Sequence, residues 1–253
     1  MENVPRGSRK DARDAVLQAH AAWSGWSKRA AANRGQILYR LAEMIDARAS
    51  ELESSLVRGG AHVGDARREV AATVERALSY SGWCDKYQSL FSSLNPVGGP
   101  HFDFTISESM GVVAVAAPKR PALLGLVGAA LPIIASGNTC IVLASEDDPR
   151  TPIVFAECLA TSDMPGGVIN ILTGQVKEML VPLARHMEVA ALDLHDLDAE
   201  LSREVFDLAS ESVKRVRSRA LSLDAWFDHE AATSPIWIER FVEMKTIWHP
   251  SGA

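Results

Sequence analysis

The chain has little of what would tie a protein to the cell exterior, a membrane or a nucleic acid. It holds three cysteines in 253 residues, Cys84, Cys140 and Cys158, odd in number and far apart. They form no CxxC pair and no Cys/His ladder, which excludes a disulfide scaffold and a zinc ribbon. Free and mostly buried thiols in a reducing compartment are the simple expectation. Positive charge is not in excess: 26 Lys and Arg stand against 32 Asp and Glu, a formal net charge of -6. Nucleic acid and anionic membranes reward a basic surface, so neither is expected as the main partner. The longest apolar stretch, 122–135, is interrupted by Pro132 and is shorter than the ~20 residues that cross a bilayer. The opening MENVPRGSRKDARDAV lacks the apolar centre of a signal peptide. These absences lead to the expectation of a soluble, cytoplasmic protein.

What is present suits a large buried core. The composition is 47% hydrophobic and 23% charged, and a chain of this size buries roughly three quarters of its unfolded surface. Ile37, Leu38, Leu41, Met44 and Ile45 recur at helical spacing, and Leu52 and Leu56 continue the stripe. After the Gly59-Gly60 break, Val70, Val74 and Leu78 mark another amphipathic helix. Residues 96–100 form a turn-rich connector. In 101–107, Phe102, Phe104 and Ile106 alternate with His101, Asp103 and Thr105, the pattern of a half-buried strand.

From Gly111 short apolar runs alternate with helical stretches. Strands are expected at 112–117, 139–143, 168–172 and 189–194. Helices are expected within 122–136 and at 151–160, 178–186 and 199–217, the last with Val205, Leu208, Val213 and Val216 on its apolar side. Continuous apolar strands between helices indicate a parallel sheet covered on both faces, a doubly wound α/β domain. The tail returns to mixed chemistry and ends in an expected strand, 241–248. Four parts follow: helical 1–95, a connector and strand at 96–110, the α/β domain at 111–220, and the tail 221–253.

Few side chains propose chemistry. Asp193, His195, Asp196 and Asp198 could hold a metal, but no partner motif supports a site, and a strand-to-helix loop with a capping Asp explains them better. Lys214, Arg215, Arg217 and Arg219 read as cations complementing a helix C-terminus. Lys119 and Arg120 sit at the C-terminal edge of a strand, where doubly wound sheets bind ligands, and fit either an anion or salt bridges to a partner. None of the cysteines lies in the exposed, electropositive setting that an active thiol needs.

The segments SMGVVAVAAPKRPALLGLVGAALPIIASGNTCIVLASEDDPRTP (109–152) and MPGGVINILTG (164–174) resemble the coenzyme domain of the aldehyde dehydrogenases. AAWSGWSKRAAANRGQILYRLAEMI resembles that family's N-terminal helical pair, and IERFVEMKTIWHP the strand that closes most members. The resemblance implies a Rossmann-like domain with N-terminal helices and an oligomerisation sheet. It also implies departures. The family's Pro-Trp-Asn, whose Asn donates to the oxyanion, corresponds to Pro118-Lys119-Arg120. The Lys and Glu of Lys-Pro-Ser-Glu, which hold the adenosine ribose, correspond to Leu143 and Glu146. Phe-Thr-Gly-Ser, at the helix meeting the pyrophosphate, is replaced by Leu194-His195-Asp196-Leu197, followed by Asp198. Acidic groups at a helix start cap it well but repel a phosphate.

No Glu-Leu-Gly-Gly segment, no Gly-Gln-x-Cys nucleophile and no catalytic domain stands between the α/β domain and the final strand. The resemblance therefore implies a protein without catalytic residues or cofactor, its NAD site reduced to the vestiges Glu146 and Gly174. Without a catalytic domain, apolar faces and strand edges are expected to lie uncovered, fit for a full-length aldehyde dehydrogenase or a second copy. Phe102, Phe104, Phe241, Val242, Met244, Ile247 and Trp248 are the expected oligomerisation residues. The chain is also similar to the incomplete second unit of large two-unit family members. The competing expectation is a nucleotide-binding module, or a contributor to a composite NAD(P)-dependent site.

Overall fold

The computed structural model describes residues 4–251. It opens with four helices, α1 (Arg9–Ser27), α2 (Ala31–Ala47), α3 (Ala49–Arg58) and α4 (Val63–Trp83), then a short α5 (Tyr87–Phe91). Strands β1 (Ser93–Asn95) and β2 (His101–Ser109) lead into the alternating part: β3 (Val112–Ala116), α6 (Ala122–Ala135), β4 (Thr139–Leu143), α7 (Thr151–Ala160), β5 (Ile169–Leu172), α8 (Val176–Arg185), β6 (Val189–His195), α9 (Ala199–Ser210) and β7 (Arg215–Arg219). Three short helices, α10 (Leu223–Phe227), α11 (His229–Ala232) and α12 (Ile236–Glu239), precede the last strand, β8 (Val242–Pro250).

The five central strands form a parallel sheet in the order β5-β4-β3-β6-β7. Because side chains alternate along a strand, Val113, Val115, Cys140 and Val142 join the core under α2, α4 and α6. Val112, Ala114, Ile141 and Leu143 face the other core, under α1, α8 and α9. Helix α6 is buried on every side, which explains why its sequence is apolar all round rather than striped. Gly137-Asn138-Thr139 follows it as a junction. Asn138 Oδ1 accepts from the N–H groups of Met110 (2.7 Å) and Gly111 (2.9 Å), and Nδ2 donates to the Phe241 carbonyl at 2.6 Å.

One helix is shorter than its periodicity predicts. Helix α9 stops at Ser210, Val213 adopts a positive φ of 54°, and 215–219 becomes the fifth strand, parallel to β6. The Lys214 ammonium donates to the carbonyls of His186 (2.8 Å) and Val189 (2.9 Å), holding the start of β7 beside β6. Val213 is 92% exposed and Val216 packs from the strand. Arg215, Arg217 and Arg219 thus alternate along a strand and do not complement a helix end.

The expectation of uncovered apolar faces is corrected in part, for the region around the parallel sheet. Residues 220–241 fold over the C-terminal ends of β6 and β7 and against α6. Trp226, Ile238 and Phe241 are all nearly or fully buried. Three donors of α4 bind the segment's carbonyls: Arg76 to Trp226 (2.8 Å), Tyr80 Oη to Ala232 (3.1 Å) and Trp83 Nε1 to Thr233 (2.8 Å). Phe241 and Val242, expected at an interface between chains, are core residues of this one. The bend that ends α12 turns Phe241 inward before β8 begins, so a strand pattern started one residue early.

The second sheet is antiparallel, β1-β2-β8, with β8 along the whole of β2. One face buries Asp103 and Ser107 on β2 but leaves their β8 partners Trp248 and Met244 exposed, and on the other face Phe102 is 50% exposed and Phe104 and Ile106 are half-buried.

Candidate functional site: the crevice at the switch of strand order

After β3 the chain proceeds outward through β4 and β5, then returns to the other side of β3 for β6 and β7. The loops beyond the C-terminal ends of β3 and β6 therefore flank the crevice where such sheets bind ligands. Here the crevice is closed by the chain's own polar groups. The Lys119 N–H donates to Asp196 Oδ2 at 3.1 Å, joining the two loops directly. Asp196 does so from a left-handed conformation, φ 51°, which Asp tolerates better than most residues.

The helix starts near the crevice are likewise occupied. Asp198 caps α9, accepting from the Leu201 N–H at 2.8 Å, as the sequence suggested for this loop. Glu146 Oε1 accepts from the Val176 N–H, the first of α8, at 2.7 Å. Glu69, reaching in from α4, accepts from Leu123 (2.7 Å) and Leu124 (3.1 Å) in the first turn of α6. Burial pushes the Glu69 carboxyl up, against the two N–H donors that pull it down. An anion bound at any of these starts would have to displace a carboxylate already there.

The two positions that the resemblance gives as cofactor contacts, Glu146 and Gly174, make contacts within the protein. Glu146 is the cap just described. Gly174 has φ 138°, and a Cβ there would stand 2.9 Å from the Gly7 nitrogen. The N-terminal segment crosses at this point: Gly7 N–H donates to Thr173 O, and Thr173 Oγ1 to Pro5 O, both at 2.6 Å. Leu143 is fully buried in the core and offers no polar group.

Beside the crevice Asp193 and His195, which the sequence offered only as candidate metal ligands, form a polar cluster with Arg219, a partner the sequence did not reveal. Asp193, fully buried on β6, accepts from His195 Nε2 (3.1 Å), Arg219 Nε (3.1 Å) and the second Arg219 nitrogen. Burial raises the Asp193 carboxyl, but the His195 and Arg219 partners outweigh it and hold it below the usual range. The Arg219 guanidinium lies 3.9 Å from the Trp237 ring centre, and Arg240 lies 4.2 Å from the same ring. Arg76, also buried, completes the surroundings through Trp226. The only available signal for Arg76 was its place on the buried stripe of α4, three residues after Thr73 and four before Tyr80.

Lys119 and Arg120 are exposed, and neither side chain has a carboxylate within 4.0 Å among the described residues. They edge a cavity of about 330 Å³ together with Arg68, but Asp65 and Asp147 edge it too. The three thiols are buried. Burial pushes Cys84 up to about 12 and Cys158 up to about 11, and it raises Cys140 as well. None is a thiolate at neutral pH. Among the described residues no group of three or more His, Cys, Asp or Glu is arranged to hold a metal, and no helix is long and apolar enough to cross a membrane.

A model of the aldehyde dehydrogenase family matches residues 1–218. The chain belongs to the aldehyde dehydrogenase family. Hydroxyisobutyraldehyde dehydrogenase of Mycolicibacterium austroafricanum is 30% identical over 213 residues, covering 84% of this chain and 42% of that protein. Human mitochondrial 10-formyltetrahydrofolate dehydrogenase is 28% identical over 194 residues, 75% of this chain and 21% of that one. PnpE from Pseudomonas sp. WBC-3, also solved in complex with nicotinamide adenine dinucleotide, superposes with a TM-score of 0.82 at 25% identity. It covers 87% of this chain and 45% of PnpE. The chain thus spans less than half the length of the relatives it matches. In this family member the match ends inside β7, and the chain continues as Arg219-Ala220-Leu221-Ser222. The segment 220–241 and β8 stand where the sequence resemblance implies a catalytic domain before the last strand.

Proposed function

We propose that this aldehyde dehydrogenase family protein has no independent oxidoreductase activity and acts as a structural or regulatory subunit. Its partner would be a full-length member of the family or a second copy. The observation that carries the reading is the outward side of the β1-β2-β8 sheet. Pairing of Leu94 with Phe104 and of Phe104 with Ile247 puts these residues, Phe102 and Ile106 on one face. Leu94 is 65% and Phe102 50% exposed, a contiguous apolar group that an unaccompanied chain has no reason to keep in water. On the opposite face Met244 and Trp248 are 50% and 60% exposed, and the outer edge of β8 pairs with no strand among the described residues.

Loss of the cofactor is supported by the crevice. With Asp198, Glu146 and Glu69 on the helix starts and Asp196 bridging to Lys119, a pyrophosphate would meet carboxylates in place of free N–H groups. Loss of turnover is supported by three buried thiols and by Arg120 where an amide would polarise the carbonyl. A cytoplasmic location is part of the proposal and rests on those free thiols.

Light scattering of the pure chain, alone and with a full-length aldehyde dehydrogenase from the same cells, tests the assembly. A complex larger than the 27.4 kDa chain, lost in the variant Phe102→Ser/Trp248→Ser, is expected. A monomer under both conditions would remove the proposal. Aldehyde turnover by the pure chain, or micromolar binding of NAD, would remove its second half.

A further inference from the structure

A groove of about 580 Å³ lies between the first turns of α1 and the C-terminal end of α8. Arg9, Lys10 and Arg13 rise from α1 and Arg185 from α8, above an apolar floor that includes Ala12 and Leu183. His186 stands at the end of α8 beside them. No carboxylate lines this groove, although the chain carries a net charge of -6. Arg9, Lys10 and Arg185 have no carboxylate within 4.0 Å among the described residues. The nearest to Arg13 is Asp14 at 3.8 Å, with both side chains exposed, a pairing of little strength.

Helix stability accounts for only part of this clustering. Arg185 complements the C-terminal end of α8. Arg9 and Lys10 do the reverse, because they add positive charge at the positive end of α1. All three cations of α1 fall in its first five residues. The acid there, Asp11, is bound to the N–H (2.8 Å) and hydroxyl (2.6 Å) of Ser8, and its charge acts weakly on Lys10 without an ion pair to any of the three. Four cations from two helices thus converge on one concavity that no carboxylate lines.

We propose that this groove binds a small polyphosphate-bearing molecule. One carboxylate or monoanion would leave most of the four cations unmatched, whereas a chain of two or three phosphates supplies oxygens along the groove. The arginine forks suit bidentate phosphate contacts and the lysine a single charge. The apolar floor suits an organic body attached to the phosphates. The site lies on α1 and α8, apart from the antiparallel sheet, and does not depend on assembly.

The test is calorimetry on the full chain at low ionic strength, with inorganic pyrophosphate and with ADP as probes. Both are expected to bind. Arg13→Glu and Arg185→Glu should each weaken pyrophosphate about tenfold or more. Arg67→Glu makes the same charge change on an exposed part of α4 and should leave the affinity about unchanged. Tighter binding of ADP than of pyrophosphate assigns the floor to an organic body, and equal binding assigns the site to phosphate alone. If charge reversal prevents folding, Arg13→Gln and Arg185→Gln read the same loss. No heat with either probe, or equal weakening by Arg67→Glu, would overturn the proposal.

Discussion

Every residue of β3 and β4 in the parallel sheet is buried, and helices cover both faces. In the antiparallel sheet, β8 buries Val242 alone, and β2 buries Asp103 and Ser107 while Phe102 stays half exposed. Both sheets are rich in large apolar side chains, so composition does not separate them. The first closes on itself down to its ligand crevice, where carboxylates occupy the helix starts and residues 220–241 cover the strand ends. The second keeps an apolar side and a free edge turned outward. The difference lies in cover: helices and the chain's own polar groups close the first sheet, while the second keeps an apolar group exposed, the feature on which the assembly proposal rests.

Breaking the closed region should have the largest effect. Asp193→Ala strands the Arg219 guanidinium and His195 in a buried site, and chemical denaturation should show a loss of about 3–5 kcal/mol. The same carboxylate sets an acid limit. Its folded pKa is depressed, so its stabilisation is complete above the unfolded value of about 3.9 and is lost as pH falls through the lower folded value. Melting curves of the wild type should fall below about pH 4, and those of Asp193→Asn should show less of that fall.

Phe241→Ala sharpens the comparison, since this residue was expected at an interface and packs in the core instead. A loss of about 3–5 kcal/mol with unchanged mass in light scattering is the expected result. A small loss with a change of mass would return Phe241 to the interface. Glu146→Ala removes one helix cap and should cost about 1 kcal/mol in a denaturation series. NAD should remain unbound in calorimetry, because the crevice stays bridged by Asp196. The smallest effect on stability belongs to Phe102→Ser/Trp248→Ser, within about 0.5 kcal/mol for each exposed site, yet this variant should abolish assembly.

Much of the α/β frame was legible along the chain. Apolar runs such as Val112–Ala116 and Thr139–Leu143 are long enough for a strand and too short for a helix, which fixes their type. Residues 211–217 mimic a helix because Val213 and Val216 sit three apart, a spacing that continues the stripe of α9. Only the hydrogen bonds to β6 and the Lys214 anchor make Arg-Val-Arg-Ser-Arg a strand. The crevice was half legible. Asp198 as a cap follows from local chemistry, whereas the pairings of Glu146 with Val176 and of Lys119 with Asp196 join residues 30 and 77 positions apart.

The sequence by itself determined the alternation of strands and helices, the lack of a nucleophile motif, and the acidic groups at the start of α9, because each depends on neighbours within a few residues. The tertiary structure decided which apolar side chains are core and which are surface. Phe241 and Phe102 are the same residue type in similar strand-like patterns, yet one is fully buried and the other half exposed. Burial depends on what the fold brings opposite a side chain, and those partners, α6 and Asn138 for Phe241, lie about a hundred residues away in the chain.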